Sequence, residues 1–288
     1  MLEPPPGADP PAGLTLELLD ADAIEQQSHG GISSAQTLHY RTLRPEPGGL
    51  LCEEVFGPQP TDWTAPRLEF SAQTEPFAPP PRTCRFGHIE LATPVLHPMV
   101  GKHQRDRVAT DLGLDPASFE RILATQQGVV TDPGDGDVET GTVLGLEDDV
   151  PPGTTVGTGA AGLAQLYEEA WGDGPMFLRR LPVLPAGLRP LYPLDEGRFA
   201  TSDLNHLYGR VIGRNDRTRR LQQLDAPALL LRSEARLLQA AVDALFFNHA
   251  TPAVADGRDR RLQSLWDLTG LHRTPWERLD ELQERARE

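Results

Sequence analysis

Hydrophobic and polar residues first fall into a pattern at Leu14-Thr15-Leu16-Glu17-Leu18, an alternation that predicts a short strand. Asp20 follows as the N-cap of a short helix reaching about Gln27. From Thr37 to Pro58 the apolar residues come in short pieces separated by Pro and Gly, as in loop-rich structure. Pro60 to Pro81 has isolated apolar residues and no period. It reads as a loop or linker of more than twenty residues, a length that usually marks something missing or something functional. A strand is expected around Ile89 to Val95. A helix is expected from about Pro116 to Ala124, where Ala117, Phe119, Ile122 and Leu123 have helical spacing behind an Asp115 cap. Residues 131–159 are Gly, Thr, Asp and Pro with very little hydrophobic mass. A short amphipathic helix near Ala160 to Trp171 follows, then an apolar run from Met176 to Leu191 broken by Pro182, Pro185 and Pro190. There is no internal repeat.

The clearest pattern lies between Ser202 and Asn248. Leu204, Leu207, Tyr208, Val211 and Ile212 share one face of a helix that can continue to Leu224. A turn built on Asp225-Ala226-Pro227 follows. Leu237, Leu238, Ala241, Val242 and Leu245 then form the apolar face of a second helix, expected to be capped by Ser233. Two such stripes about a short turn specify an antiparallel helical hairpin.

Composition narrows the class. The chain has 288 residues, enough for one large domain or two small ones, and its first thirteen, with five prolines and two glycines, are expected to be a disordered tail. Two cysteines, Cys52 and Cys84, make neither a disulfide framework nor a four-thiolate zinc site, and are read as leftover or buried thiols. No stretch has the roughly 18 apolar residues of a membrane span, and the start lacks a basic segment and apolar core, so a cytoplasmic protein is expected.

Charge changes the picture more. The 42 Asp+Glu against 27 Lys+Arg give −15, a balance that opposes nonspecific nucleic-acid binding. It is also segregated: residues 106–175 carry two Arg against fourteen acids, whereas Met176 to Arg236 carries eleven Arg against six acids. Arg210, Arg214, Arg217, Arg219 and Arg220 lie on one helix, with Arg214 and Arg217 on a shared face. Guanidinium groups pair bidentately with carboxylates and tolerate partial desolvation, so such a row suits an acidic helical partner; a solvated face is the alternative.

Several strings are specific enough to point to a family. They are Tyr40-Arg41-Thr42-Leu43-Arg44-Pro45-Glu46, Gly49-Leu50-Leu51-Cys52-Glu53 and Phe56-Gly57-Pro58, then Arg85-Phe86-Gly87-His88-Ile89-Glu90-Leu91-Ala92. The longest block runs from Leu181-Pro182-Val183-Leu184-Pro185 through Leu188-Arg189-Pro190 and Pro193-Leu194-Asp195 to Gly197-Arg198-Phe199-Ala200-Thr201-Ser202-Asp203-Leu204-Asn205. Arg210-Val211-Ile212, Arg214-Asn215 and Ala241-Val242-Asp243-Ala244-Leu245 carry it through the hairpin. Together they resemble the amino-terminal clamp region of the bacterial RNA polymerase β′ subunit, collinearly from about Leu14 to Leu268, with Pro60–Pro81 and Pro133–Gly159 diverged.

The resemblance implies an α+β fold: an irregular clamp core with small sheets and loops, plus a protruding antiparallel hairpin, the clamp helices. It divides the chain into a tail (1–13), a clamp core (14–200) with a degraded zinc-ribbon region (60–81) and a lid-like segment (186–200), the hairpin (201–249), and a helical tail (250–288). That tail contains an amphipathic helix at Trp276–Arg287, to cover apolar surface or to bind a partner. In the family the hairpin docks the sigma factor. The positions matching its sigma contacts hold Asn205, Arg214, Arg217, Arg232, Glu234, Gln239 and Ala241.

The family's Mg²⁺-binding Asn-Ala-Asp-Phe-Asp-Gly-Asp motif has no match. Asp132-Pro133-Gly134-Asp135-Gly136-Asp137 imitates it superficially and reads as a solvated acidic turn. No cofactor, metal or independent catalysis is therefore expected. A sigma factor is the expected partner, as decoy or adaptor. Contact with polymerase core subunits is possible, DNA contact is weak or confined to an assembly, and no membrane is involved. A subunit fragment of a split polymerase, and a decayed fragment without function, are the other readings.

Overall fold

The computed structural model describes residues 18–39, 41–58, 85–134, 137–172, 174–194, 199–249 and 252–268. The expected strand at Leu14, the 1–13 tail, the 60–81 segment, Cys84 and the Trp276–Arg287 helix lie wholly or mostly outside them. Helix α1, Ala21–Gln27, starts where expected, with the Asp20 carboxylate accepting from the Ala23 N–H at 2.7 Å. The short α2, Glu53–Phe56, places Val55 and Phe56 in the core. Strand β1, Gly87–Leu96, precedes α3, Lys102–Asp111, and α4, Pro116–Leu123, whose Asp115 side chain accepts from the Ser118 N–H.

Residues 127–158 build more than their composition suggests. Strands β2 (Gln127–Asp132), β3 (Val143–Gly145) and β4 (Thr155–Thr158) form an antiparallel sheet in the order β3-β2-β4, against which α5, Gly159–Trp171, packs. Little hydrophobic mass suffices because the backbones approach directly: a Cβ added at Gly157 would lie 2.5 Å from the Gly162 Cα. Val129, Val130 and Leu163 fill what remains. Strand β5 (Phe177–Val183) pairs antiparallel with β1, a 3-10 turn at Ala186–Leu188 follows, and β6 (Leu191–Pro193) pairs with β7 (Phe199–Thr201).

The hairpin forms as the apolar stripes predict. Helix α6 spans Asp203–Gln223 and α7 spans Ala228–Phe246, followed by the short α8, Leu265–Leu268. The expected Ser233 cap is corrected: α7 begins six residues earlier than that cap requires, at Ala228 behind Pro227, and Ser233 lies inside the helix. Proline has no N–H to satisfy at a helix start, and Leu229 to Arg232 have helical propensity of their own.

Two large packed clusters result, besides a small one of Phe247 and Trp266. One joins α1, α2, β1, β5 and the hairpin through Leu50, Phe56, Ile89, Leu181, Leu204, Tyr208, Val211, Leu238, Val242 and Leu245. The other joins the end of β1 to α3, α4, β2 and α5 through Leu96, Phe119, Ile122, Val129, Leu163 and Phe177. Each buried side chain of this size contributes about 1.5–3 kcal/mol.

His97 follows β1, next to Leu96 of the second cluster. Its ring meets Phe246 of α7 edge-on at 5.3 Å, and its Nδ1 accepts from the Met99 N–H at 3.1 Å. Burial lowers its pKa from 6.5 to about 4. The unfolded chain therefore takes up a proton near pH 6.5 that the folded chain refuses until about pH 4, and stability present above 6.5 is lost as the pH falls through that window. The loss should approach roughly 3 kcal/mol when complete. Urea unfolding at several pH values should show it, and His97→Gln should flatten the slope by one proton; identical slopes would refute the assignment.

Candidate functional site

The hairpin is held to the core through one edge of β1. Strand β5 pairs with the other edge, and that pairing slips between Glu90 and Val95, leaving Leu91 to Pro94 without ladder partners. On the hairpin's edge of β1 the partners are side-chain amides. Asn215 of α6, nearly inaccessible to water, accepts from the Ala92 N–H at 2.7 Å and donates to the Glu90 carbonyl at 2.8 Å. Gln222 donates to the Ala92 carbonyl, and Arg219 donates to the Glu90 carbonyl. From α7, Gln239 accepts from the Leu96 N–H at 2.7 Å and donates to the Leu96 carbonyl at 2.9 Å. An amide carries one donor group and one acceptor, so Asn215 and Gln239 make the pair of bonds that a neighbouring strand would make.

The base of the hairpin is fixed by a buried cation. Arg189, fully inaccessible, donates from Nε to the Leu184 carbonyl at 2.9 Å and from Nη1 to Asn205 Oδ1 at 2.8 Å. Its guanidinium lies 4.6 Å from the Phe56 ring centroid and 5.8 Å from that of Tyr208, while Nη2 has no hydrogen-bond partner among the described residues. Burial lowers its pKa to about 10, which still leaves it charged at neutral pH. Asn205 Nδ2 returns bonds to the Arg189 carbonyl and to Thr201 Oγ1, tying β7 to the first turn of α6. Asp203 at the start of α6 accepts two bonds from Arg260, each 2.8 Å, and these hold its carboxyl below the usual range.

Beyond this base the hairpin carries charge. Residues 203–246 contain seven arginines and five acids. Glu234 of α7 is buried between the helices, its Oε1 2.8 Å from Arg217 Nε and its Oε2 3.4 Å from Arg214 Nη1. Arg219 pairs with Asp216 at 3.5 Å. Arg210, Arg220, Arg232 and Arg236 have no carboxylate within ion-pair distance among the described residues. At the tip, Leu224, Leu229 and Leu230 are 66%, 68% and 48% exposed, the first two more so than any other large apolar side chain described.

The seven positions singled out in the sequence therefore divide. Arg214, Arg217 and Glu234 form one cluster across the two helices, with Arg232 half-exposed two residues before Glu234. Asn205 and Ala241 are buried, and Gln239 is engaged with Leu96. Arg189, Asn215 and Gln222 were not singled out. A lone Arg between Leu188 and Pro190, at the end of an apolar run, was the available signal for the first. Among the described residues no group of three His, Cys, Asp or Glu side chains is arranged to hold a metal ion. Cys52 is buried in the core; Asp132 Oδ1 accepts from the Gly134 N–H. No helix among the described residues is long and apolar enough to cross a membrane.

The family described as RNA polymerase Rpb1, domain 1, matches residues 12–140 and 165–270. The unmatched stretch between them holds β3, β4 and the start of α5. The DNA-directed RNA polymerase subunit beta' of Methylococcus capsulatus is 35% identical over 312 residues, covering 88% of this chain and 22% of that protein. The subunit of the same name from Treponema pallidum is 34% identical over 311 residues, with 88% and 22% covered. That from Clostridioides difficile is 35% identical over 313 residues, with 88% and 27% covered. The chain thus spans between 22% and 27% of the length of these relatives.

Proposed function

This chain belongs to the RNA polymerase Rpb1, domain 1, family and is similar to the N-terminal region of bacterial β′ subunits, and from that premise we propose that it acts in transcription as a clamp module that docks a sigma factor on its helical hairpin. The observation that carries the reading is the charge of the hairpin: seven arginines against five acids, with Glu234 buried between Arg214 and Arg217 and four further guanidinium groups without a carboxylate partner among the described residues. Such a surface suits an acidic helical partner. In this reading Arg214, Arg217 and Arg232 meet the partner, while Asn205, Gln239 and Ala241 hold the helices in place. The chain supplies a surface and no catalytic step. By mass action it withholds or delivers whichever sigma factor it binds.

The test is a titration of the protein with the principal sigma factor of the same cell. Arg214→Glu alone would place a second carboxylate against Glu234, so Arg232→Glu, which breaks no ion pair among the described residues, is the better probe. Wild type is expected to bind, and Arg232→Glu to weaken binding by about tenfold or more with the fold intact. No binding at tens of micromolar, or equal binding by this variant, would overturn the proposal. A second reading, assembly with other polymerase chains, is favoured by the similarity running through 88% of the chain rather than the hairpin alone. Co-purification with core subunits from cell extract tests it.

A further inference from the structure

Glycine costs a helix interior about 1 kcal/mol relative to alanine, so a mid-helix glycine in a folded protein asks for a reason. In α6, Gly209 lies against Ala35, where an added Cβ would be in ordinary van der Waals contact at 3.7 Å. Gly213, in the middle of the helix, finds no steric reason among the described residues. It is exposed, and a Cβ added to it would meet nothing within 4 Å.

Its surroundings supply one. At 100° per residue, Arg210, Arg217, Arg220 and Leu224 all lie within about 60° of Gly213 around the helix axis, and all are exposed. Arg210 and Arg220 have no carboxylate partner among the described residues. Arg217 gives its Nε to Glu234 yet keeps 65% of its side chain exposed. Leu224, at 66% exposure, ends the face at the tip. His206 and Asp216 are exposed on the same face, Asp216 paired with Arg219 at 3.5 Å, so the face is net basic, with a depression between Arg210 and Arg217 and an apolar residue at its far end.

We infer that Gly213 is the crossing point for an acidic amphipathic helix of the partner, an inference that rests on the sigma-docking reading and locates it on α6. Without a side chain at 213 the two helix backbones can approach more closely than the usual 8–10 Å between axes. Carboxylates on either side of the crossing then reach Arg210, Arg217 and Arg220, and an apolar residue covers Leu224. Arg210, Gly213 and Arg220 thereby join the binding surface, and position 213 sets which partners fit. A bulkier residue there holds the partner's carboxylates away from all three guanidinium groups at once.

Gly213→Leu separates binding from folding, because leucine is a better helix former and has open space to occupy. In the sigma-factor titration it should leave thermal stability equal or raised and weaken binding at least tenfold. Gly213→Ala should raise stability and cost little affinity, and Arg210→Glu/Arg220→Glu should weaken binding and reduce its salt dependence. If wild type binds and Gly213→Leu binds equally well, the crossing point is wrong and the sigma reading survives. If wild type does not bind, the sigma reading falls and this inference with it.

Discussion

Replacing Asn215 by leucine is expected to destabilise the protein by about 3 kcal/mol, although the two side chains share the same branched skeleton. The amide's two bonds to β1 are lost, each contributing about 1 kcal/mol, and the partly buried Ala92 N–H is left with no acceptor, at a further cost of about 1 kcal/mol. The Glu90 carbonyl keeps the Arg219 guanidinium, which limits the damage to one orphaned group. Equilibrium denaturation gives the number, and hydrogen exchange gives the mechanism: the Ala92 amide should lose protection before the hairpin helices do. A variant within 1 kcal/mol of wild type (about a third of the expected loss) would mean that the amide only occupies space.

Arg189→Ala should cost more, about 4 kcal/mol. It leaves the Leu184 carbonyl and the Asn205 side-chain oxygen without donors and opens a cavity beside Phe56. Against this stands relief from burying a cation with no carboxylate beside it, whose desolvation is what lowers its pKa. Arg189→Met weighs the two, because methionine restores most of the volume and sheds the charge. The expected order is wild type, then Met, then Ala. A methionine variant as stable as wild type would show that the guanidinium's hydrogen bonds only offset its own desolvation.

Those two residues also show where the sequence stops being readable. The hairpin is legible because apolar positions at helical spacing can be buried in only one way, and Leu204 to Ile212 and Leu238 to Leu245 are buried as their spacing requires. The sheet of β2, β3 and β4 is not legible. Its strands are six, three and four residues long, and the closest part of its contact with α5 is made by the backbones of Gly157 and Gly162, which leave no hydrophobic signature.

The candidate site was partly legible for a related reason. The sequence displays charge, so Arg214, Arg217 and Arg232 stand out, but it does not reveal that Glu234 lies buried between two of them. Nor can an amide's partner be read from its neighbours. Gln239 looks the same in one dimension whether it faces a partner protein or the Leu96 backbone 143 residues away.

That distance has a consequence for biosynthesis. The edge of β1 closed by Asn215 and Gln239 is an exposed strand until those residues exist, and they follow Ala92 and Leu96 by 123 and 143 residues. At translation rates of about 5–20 residues per second, the ribosome needs roughly 6 to 25 s to reach the first of them. Throughout that interval the nascent chain offers unpaired backbone groups to any other extended segment, its own or a neighbour's. The amides that set the hairpin in place therefore also end the period in which the protein is most prone to aggregate. Loss of either should reduce soluble yield beyond what its effect on equilibrium stability accounts for.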